Sequence, residues 1–103
     1  FRPEAVAHLA WRGVGNADRN SPLQARNVPD AVDLAVLAAD LGAGAFVGVG
    51  SQAEYGPYPR IISEDDAPRP TTLYGSAKLA AGMMTGQICR ERGVRFAWMR
   101  VFS

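Results

Sequence analysis

The 103-residue sequence carries eleven basic and ten acidic residues, which gives a formal net charge of +1. This length allows at most one small domain with a modest core. The charges are balanced and scattered, which argues against nucleic acid as a partner. No apolar run approaches the ~20 residues of a membrane span, so no membrane partner is expected. The single cysteine, Cys89, excludes an internal disulfide and indicates a reducing, cytoplasmic compartment.

The first half of the chain predicts a strand, a helix and a second strand. Residues 5–10 form a short apolar run between Pro3 and a glycine-containing loop, which is typical of a buried strand. Apolar residues at mixed spacings of three and four predict a helix over residues 22–40, although Pro29 makes its first turn uncertain. Residues 45–50 are again continuously apolar, which favours a strand that is covered on both faces.

The second half predicts a long loop, a helix and a third strand. Residues 51–72 are rich in proline and too long for a passive connection, so we interpret them as an ordered functional loop. Residues 73–92 carry an apolar stripe at helical spacing and are followed directly by Gly93. Residues 94–102 predict the last strand.

The order of these elements predicts an α/β fold with parallel strands. Strands that alternate with helices imply right-handed crossovers and helices on both faces, which is a three-layer α/β/α arrangement. In such sheets, ligands bind at the carboxyl ends of the strands. Here those ends are Ala10-Trp11, Gly50-Ser51 and Phe102-Ser103. We therefore expect a functional site where these three segments meet.

Tyr74 and Lys78, the only lysine, are four residues apart and fall on one face of the second predicted helix. An ammonium so placed favours the phenolate, and the phenol then exchanges a proton near neutral pH. Ser51 leaves the neighbouring strand and adds a hydroxyl donor. These three groups suit proton transfer at a carbinol or carbonyl carbon. The alternatives are a surface tyrosine–lysine pair and a serine that only caps a turn.

Two segments of the chain resemble the extended short-chain dehydrogenase/reductases, which include nucleotide-sugar epimerases, dehydratases and reductases. They are Gly50-Ser51-Gln52-Ala53-Glu54-Tyr55-Gly56 and Pro70-Thr71-Thr72-Leu73-Tyr74-Gly75-Ser76-Ala77-Lys78. His8-Leu9-Ala10-Trp11 is similar to the strand-end segment beside the cofactor in that family. Arg100-Val101-Phe102-Ser103 resembles its Arg-x-Phe-Asn strand end, with serine in place of asparagine. The resemblance covers essentially the whole chain.

The resemblance implies roles for individual residues. Tyr74 is then the catalytic acid/base, Lys78 binds the nicotinamide ribose and stabilises the phenolate, and Ser51 hydrogen-bonds the reacting sugar oxygen. It implies NAD or NADP as cofactor, a nucleotide sugar as substrate, and a homodimer for the full-length protein. The implied cofactor-binding residues also include Leu9, Ala10, Trp11, Asn27, Val49 and Val101, and the implied substrate-binding residues include Gln52 and Ser103. For Asn27, an exposed helix asparagine is the alternative.

Departures from the family pattern narrow the expected reaction. The 4,6-dehydratases carry Thr-Asp-Glu where this chain has Ser51-Gln52-Ala53, so the acid and base that expel water are missing. The epimerase-reductases place a cysteine at the position of Ala53. A 4-epimerase or a 4-ketoreductase remains. The alternatives are a dehydratase, a non-catalytic dinucleotide sensor, and a different parallel fold with a chance Tyr/Lys pair.

We interpret residues 1–103 as an internal segment of an NAD(P)-binding Rossmann domain. No glycine-rich turn precedes the first strand, so the pyrophosphate-binding element and the residue that selects NAD or NADP are expected upstream of Phe1. A substrate lobe is expected after Ser103, and the segment alone is expected to be inactive. We predict no metal site. His8, the only histidine, is predicted to be a core or hydrogen-bonded residue rather than a catalyst.

Overall fold

The computed structural model describes residues 1–102 as a parallel sheet with two α-helices. The elements are β1 (Ala5–His8), α1 (Asn27–Asp40), β2 (Ala45–Ser51), α2 (Leu73–Arg92) and β3 (Arg95–Val101). The strands lie in the order β1-β2-β3, and both strand pairs are parallel. The predicted α/β fold, a partial Rossmann domain with parallel strands, is confirmed.

The ends of the helices follow local sequence signals. Residues 22–26 of the predicted first helix form a separate 3₁₀ turn, and α1 begins only at Asn27. Pro29 is its third residue, where a missing N–H costs no helical hydrogen bond. The α2 helix has the predicted bounds. The Thr72 hydroxyl accepts a 3.0 Å hydrogen bond from the Gly75 N–H at its start, and Gly93 ends it with a φ of 70°.

Both helices lie on the same face of the sheet. Phe46 of β2 packs in one buried cluster with Ala35 and Ala38 of α1 and with Cys89 of α2. The expectation that helices cover both faces is wrong for residues 1–102, where the sheet carries one helical layer. The physical reason is the strand order. When each new strand is added on the same side of the last, two right-handed crossovers place both helices on one face.

Two glycines bring α2 close to β3. A Cβ atom at Gly82 would lie 2.8 Å from the indole ring of Trp98, and one at Gly86 would lie 2.9 Å from the ring of Phe96. These separations are too short for a side chain, so the bare glycine backbone allows the helix to rest directly on the aromatic rings. This close packing fixes the helix start, with Tyr74 and Lys78, near the carboxyl end of β2.

Candidate active site

A cavity of about 420 Å³ opens beside the carboxyl ends of β2 and β3. Ser51 and Gln52 line it from the end of β2, and Val101 lines it from the end of β3. All three were predicted as site residues from the sequence. The remaining wall consists of Arg19, Ala53, Gly56, Pro57, Thr71, Thr72 and Phe102. The expected convergence of strand ends therefore produces a recess large enough for part of a small-molecule ligand.

Tyr74 and Lys78 form a buried cluster with Trp11. The side chain of Lys78 is 5% exposed, and its Nζ donates a 2.9 Å hydrogen bond to the carbonyl oxygen of Val49. The same Nζ lies 4.2 Å from the centre of the Trp11 ring and 5.9 Å from the centre of the Tyr74 ring. The two rings meet edge to face at 6.3 Å. The alternative of a surface tyrosine–lysine pair is wrong, because both side chains are buried.

Burial changes the electrostatics of this cluster. Desolvation lowers the pKa of Lys78 from its usual 10.5, and the negative charge of Glu54 partly opposes this change. The pKa of His8, on the neighbouring strand, is also lowered by burial and further by the charge of Lys78. Because His8 is buried within the sheet, it is a core histidine, as predicted.

Ser51 caps the 3₁₀ turn at Gln52–Glu54. Its Oγ accepts a 3.1 Å hydrogen bond from the Ala53 N–H, and the Glu54 carboxylate accepts a 2.7 Å bond from the Ser51 N–H. This reciprocal pair is a capping box. Capping was the alternative interpretation of Ser51, and it describes the contacts of this residue in the structure. A hydroxyl that accepts one bond still has a proton to donate, and Ser51 lines the cavity.

Tyr74 and Ser51 lie near the same edge of the sheet, but no hydrogen bond joins their side chains. Within residues 1–102 the Tyr74 hydroxyl makes no hydrogen bond to Ser51 or to Lys78. The two regions are adjacent, since a Cβ at Gly75 would lie 2.9 Å from the carbonyl carbon of Ala53. Arg19 connects them: its guanidinium stands 4.6 Å above the Tyr74 ring and also lines the cavity. No motif or spacing in the sequence indicates a role for Arg19.

Glu54 was not predicted as a site residue, and it is fully buried. Besides the Ser51 N–H, its carboxylate accepts bonds from Trp98 Nε1 at 3.0 and 3.2 Å and from Arg100 Nε at 2.9 Å. The spacing Ser-x-x-Glu at residues 51–54 is a capping-box signature, which indicates the contact between Ser51 and Glu54 from the sequence alone.

The segment that follows β1 is held by side-chain amides. Asn27 is buried, and its amide exchanges two 3.0 Å hydrogen bonds with the backbone of Arg12. The alternative of an exposed Asn27 is therefore wrong. The buried Gln24, which was not predicted, accepts a 2.9 Å bond from Trp11 Nε1 and donates to the Gly13 carbonyl. These bonds hold Trp11 against the Tyr74–Lys78 cluster.

The other predicted residues are at the edge or outside the described part. Leu9 and Ala10 follow β1 and are exposed. Ser103 lies outside the described residues. Within residues 1–102 there is no group of three histidine, cysteine or acidic side chains that could hold a metal ion. No helix in that same stretch has the length and apolarity to cross a bilayer.

The parallel sheet and the buried tyrosine–lysine pair at its carboxyl edge define a Rossmann-like α/β protein. The sequence matches the NAD dependent epimerase/dehydratase family over residues 1–103, so the chain belongs to this family. A comparison of the sequence with curated proteins finds no match.

Several solved structures are similar to this chain. RMD from Pseudomonas aeruginosa complexed with NADPH shares 26% identity, with a TM-score of 0.86 over 98% of this chain and 36% of that one. MoeE5 in complex with UDP-glucose and NAD shares 29% identity, with a TM-score of 0.77 over 92% and 32%. The UDP-glucuronic acid 4-epimerase of Bacillus cereus in complex with NAD shares 23% identity, with a TM-score of 0.81 over 97% and 32%. The chain thus spans about a third of their lengths.

Proposed function

We propose that this chain contributes the NAD(P)-dependent proton-transfer site of a nucleotide-sugar 4-epimerase or 4-ketoreductase. The observation that carries the proposal is the placement of Lys78. Its buried ammonium is fixed to the Val49 carbonyl near the carboxyl end of β2, 5.9 Å from the centre of the Tyr74 ring. A cation that is desolvated and fixed next to a phenol, at the ligand-binding edge of a parallel sheet, has a chemical rather than a packing role.

The residues present fit a nicotinamide cofactor. An ammonium has three N–H donors, and within the described residues Lys78 uses one of them as a hydrogen bond, to Val49. The others suit the two hydroxyl oxygens of a ribose. Leu9, Ala10, Trp11, Val49 and Val101 would line this site, and Asn27 would act through the loop that it holds. When bound, NAD or NADP supplies hydride acceptance and return at the sugar carbon.

The chain's own residues would handle the proton. The Tyr74 phenol takes the proton of the sugar hydroxyl as hydride leaves and gives it back on reduction. The Ser51 hydroxyl would donate a hydrogen bond to the same oxygen, and Gln52, which lines the cavity, would contact the sugar.

Water elimination is disfavoured by the residues beside Ser51. Gln52 and Ala53 are neither acid nor base, and the nearest carboxylate, Glu54, is enclosed by three donor groups and does not line the cavity. A non-catalytic sensor is disfavoured because the chain retains both Tyr74 and Lys78. The dehydratase and the sensor therefore rank below the proposed enzyme.

The test uses the complete protein with NAD or NADP and a panel of UDP-glucose, UDP-galactose, UDP-glucuronic acid and nucleotide-4-ketosugars. We expect a change of configuration at C4 or reduction of the ketone. Chromatography and NMR of the products would detect either change. Formation of a 4-keto-6-deoxy sugar with solvent hydrogen at C5 would overturn the assignment in favour of a dehydratase. Binding of NAD(P) without turnover of any member would favour the sensor.

We also expect the complete protein to be a cytoplasmic homodimer. The helix residues Leu37 and Met83 are exposed, and a second copy of the chain would bury such apolar groups. Light scattering coupled to size exclusion measures the oligomeric state, and a monomeric mass would contradict the expectation.

A further inference from the structure

Glu54, in the turn that follows β2, connects β2 to β3 through three hydrogen-bond donors. Its carboxylate binds the backbone N–H of Ser51 on β2, the indole N–H of Trp98 on β3 and the Nε of Arg100 on β3. The side chain is fully buried. A buried carboxylate is costly unless donors compensate for the lost water, and here three donors do so, one of which is the N–H of Ser51 at the candidate site.

The residues around Glu54 leave room for its carboxylate. A Cβ atom at Gly50 would overlap both Glu54 Oε2 and Trp98 Nε1, so only glycine at that position leaves room for the contact. The Arg100 guanidinium, besides binding Glu54, stands 4.6 Å above the Tyr55 ring. Glu54 is thus held from β3, and it in turn holds the backbone of Ser51.

We propose that Glu54 is a positioning residue, which uses its anchorage on β3 to hold Ser51 so that the hydroxyl points toward substrate in the cavity. The inference rests on the proposed function of Ser51 and extends it to a residue that does not touch substrate. The capping box makes the link direct. The Ser51 backbone is bound by Glu54, and the Ser51 hydroxyl is oriented by the Ala53 N–H in the same turn.

The test is a double-mutant cycle in the complete protein, with the panel substrate that gives the highest turnover. Glu54→Gln keeps the size but replaces one acceptor oxygen by an N–H₂ group, which cannot bind the donors of Trp98 and Arg100. We expect kcat to fall by about 10²-fold, the loss that a misplacement of about 1 Å produces, with KM nearly unchanged. In a Ser51→Ala background, the same substitution should have little further effect on kcat.

Two further variants keep the result interpretable. Trp98→Phe removes one donor and keeps an aromatic ring, so it should give a smaller loss of kcat that also disappears in the Ser51→Ala background. Asp40→Asn breaks the exposed Arg92–Asp40 ion pair between the two helices and should leave kcat unchanged. Amide hydrogen exchange of the segment containing Ser51 should accelerate in Glu54→Gln and in Trp98→Phe, but not in Asp40→Asn.

The outcomes separate the two proposals. If Ser51→Ala leaves kcat unchanged, the role proposed for Ser51 is overturned, and the positioning role of Glu54 is overturned with it. If Ser51→Ala lowers kcat but Glu54→Gln does not, or lowers it by the same factor in both backgrounds, only the inference about Glu54 is overturned. If Glu54→Gln does not fold, the Trp98→Phe cycle decides by the same criteria.

Discussion

Lys78 joins helix α2 to strand β2 through the 2.9 Å hydrogen bond from its ammonium to the Val49 carbonyl. This bond holds a long, flexible side chain in one direction, at the edge of the sheet where parallel α/β proteins bind ligands. Trp11 covers the other side of the ammonium, with its ring centre 4.2 Å away. The contact of a cation with an aromatic face compensates part of the lost hydration.

Tyr74→Phe should remove most turnover and leave cofactor binding nearly unchanged. The substitution deletes the proton path but almost no contact area, and general acid–base catalysis contributes about 10²- to 10⁴-fold. Steady-state kinetics and titration of the reduced cofactor's fluorescence measure the two effects. Tyr58→Phe is the matched control, because the Tyr58 hydroxyl bonds to the Ala67 carbonyl outside the Tyr74–Lys78 cluster. A Tyr74→Phe enzyme with near-normal turnover would exclude the phenol as the acid/base.

Lys78→Met should weaken turnover and cofactor binding together. The lysine is proposed both to bind the ribose and to stabilise the phenolate, and methionine preserves the apolar stem without the charge. The same two measurements apply, with Lys78→Arg as the charge-conserving comparison. Loss of turnover with unchanged cofactor affinity would restrict Lys78 to the proton-transfer role.

Asn27→Ala should destabilise the protein by about 1–3 kcal/mol, because it leaves the N–H and the carbonyl of Arg12 without their buried partner. Urea unfolding followed by circular dichroism measures the change. Asn16→Ala serves as control, since Asn16 is an exposed residue of the same loop. Equal stability of the two variants would show that the amide of Asn27 does not hold this loop.

His8 should make the protein less stable as the pH falls below 6.5. Its folded-state pKa lies below that unfolded value, because burial and the charge of Lys78 lower it more than Asp30 raises it. Between the two pKa values the unfolded chain binds more protons, so this contribution to stability rises with pH through that window. Urea unfolding at several pH values should show a shallower pH dependence for His8→Gln. If His8→Gln leaves the pH dependence of the unfolding free energy unchanged, His8 does not contribute to it.

Gly82→Ala should destabilise the protein even though alanine is the better helix former. The gain in helix propensity is at most about 1 kcal/mol, whereas a methyl group forced against the Trp98 ring costs about 1–3 kcal/mol. Thermal and urea unfolding measure the balance. Gln87→Ala, at an exposed polar position of the same helix, should change stability by less than about 0.5 kcal/mol. A stabilised Gly82→Ala protein would show that the helix can move away from the sheet.

The sequence alone predicts those helices and strands whose ends are set by local signals. The bounds of α2 follow from Thr72 and Gly93, and the strands follow from short apolar runs between turns. The faces of the sheet could not be assigned in this way, because the alternation of strands and helices does not specify strand order. Arg19 lies in an irregular loop and Gln24 in the 3₁₀ turn at residues 22–26, and only the folded chain brings their side chains to Tyr74 and Trp11.

The three strands lie in the sheet in the same order as in the sequence, which affects how this unit folds. Within residues 1–102, β2 pairs with β1 and with β3, so both strand contacts close across a single helix. During synthesis, β1, α1 and β2 can therefore assemble as soon as they emerge, and α2 and β3 can then be added to an existing edge. The site at the end of β2 is completed only at that second stage, when Lys78 of α2 and Arg100 of β3 arrive.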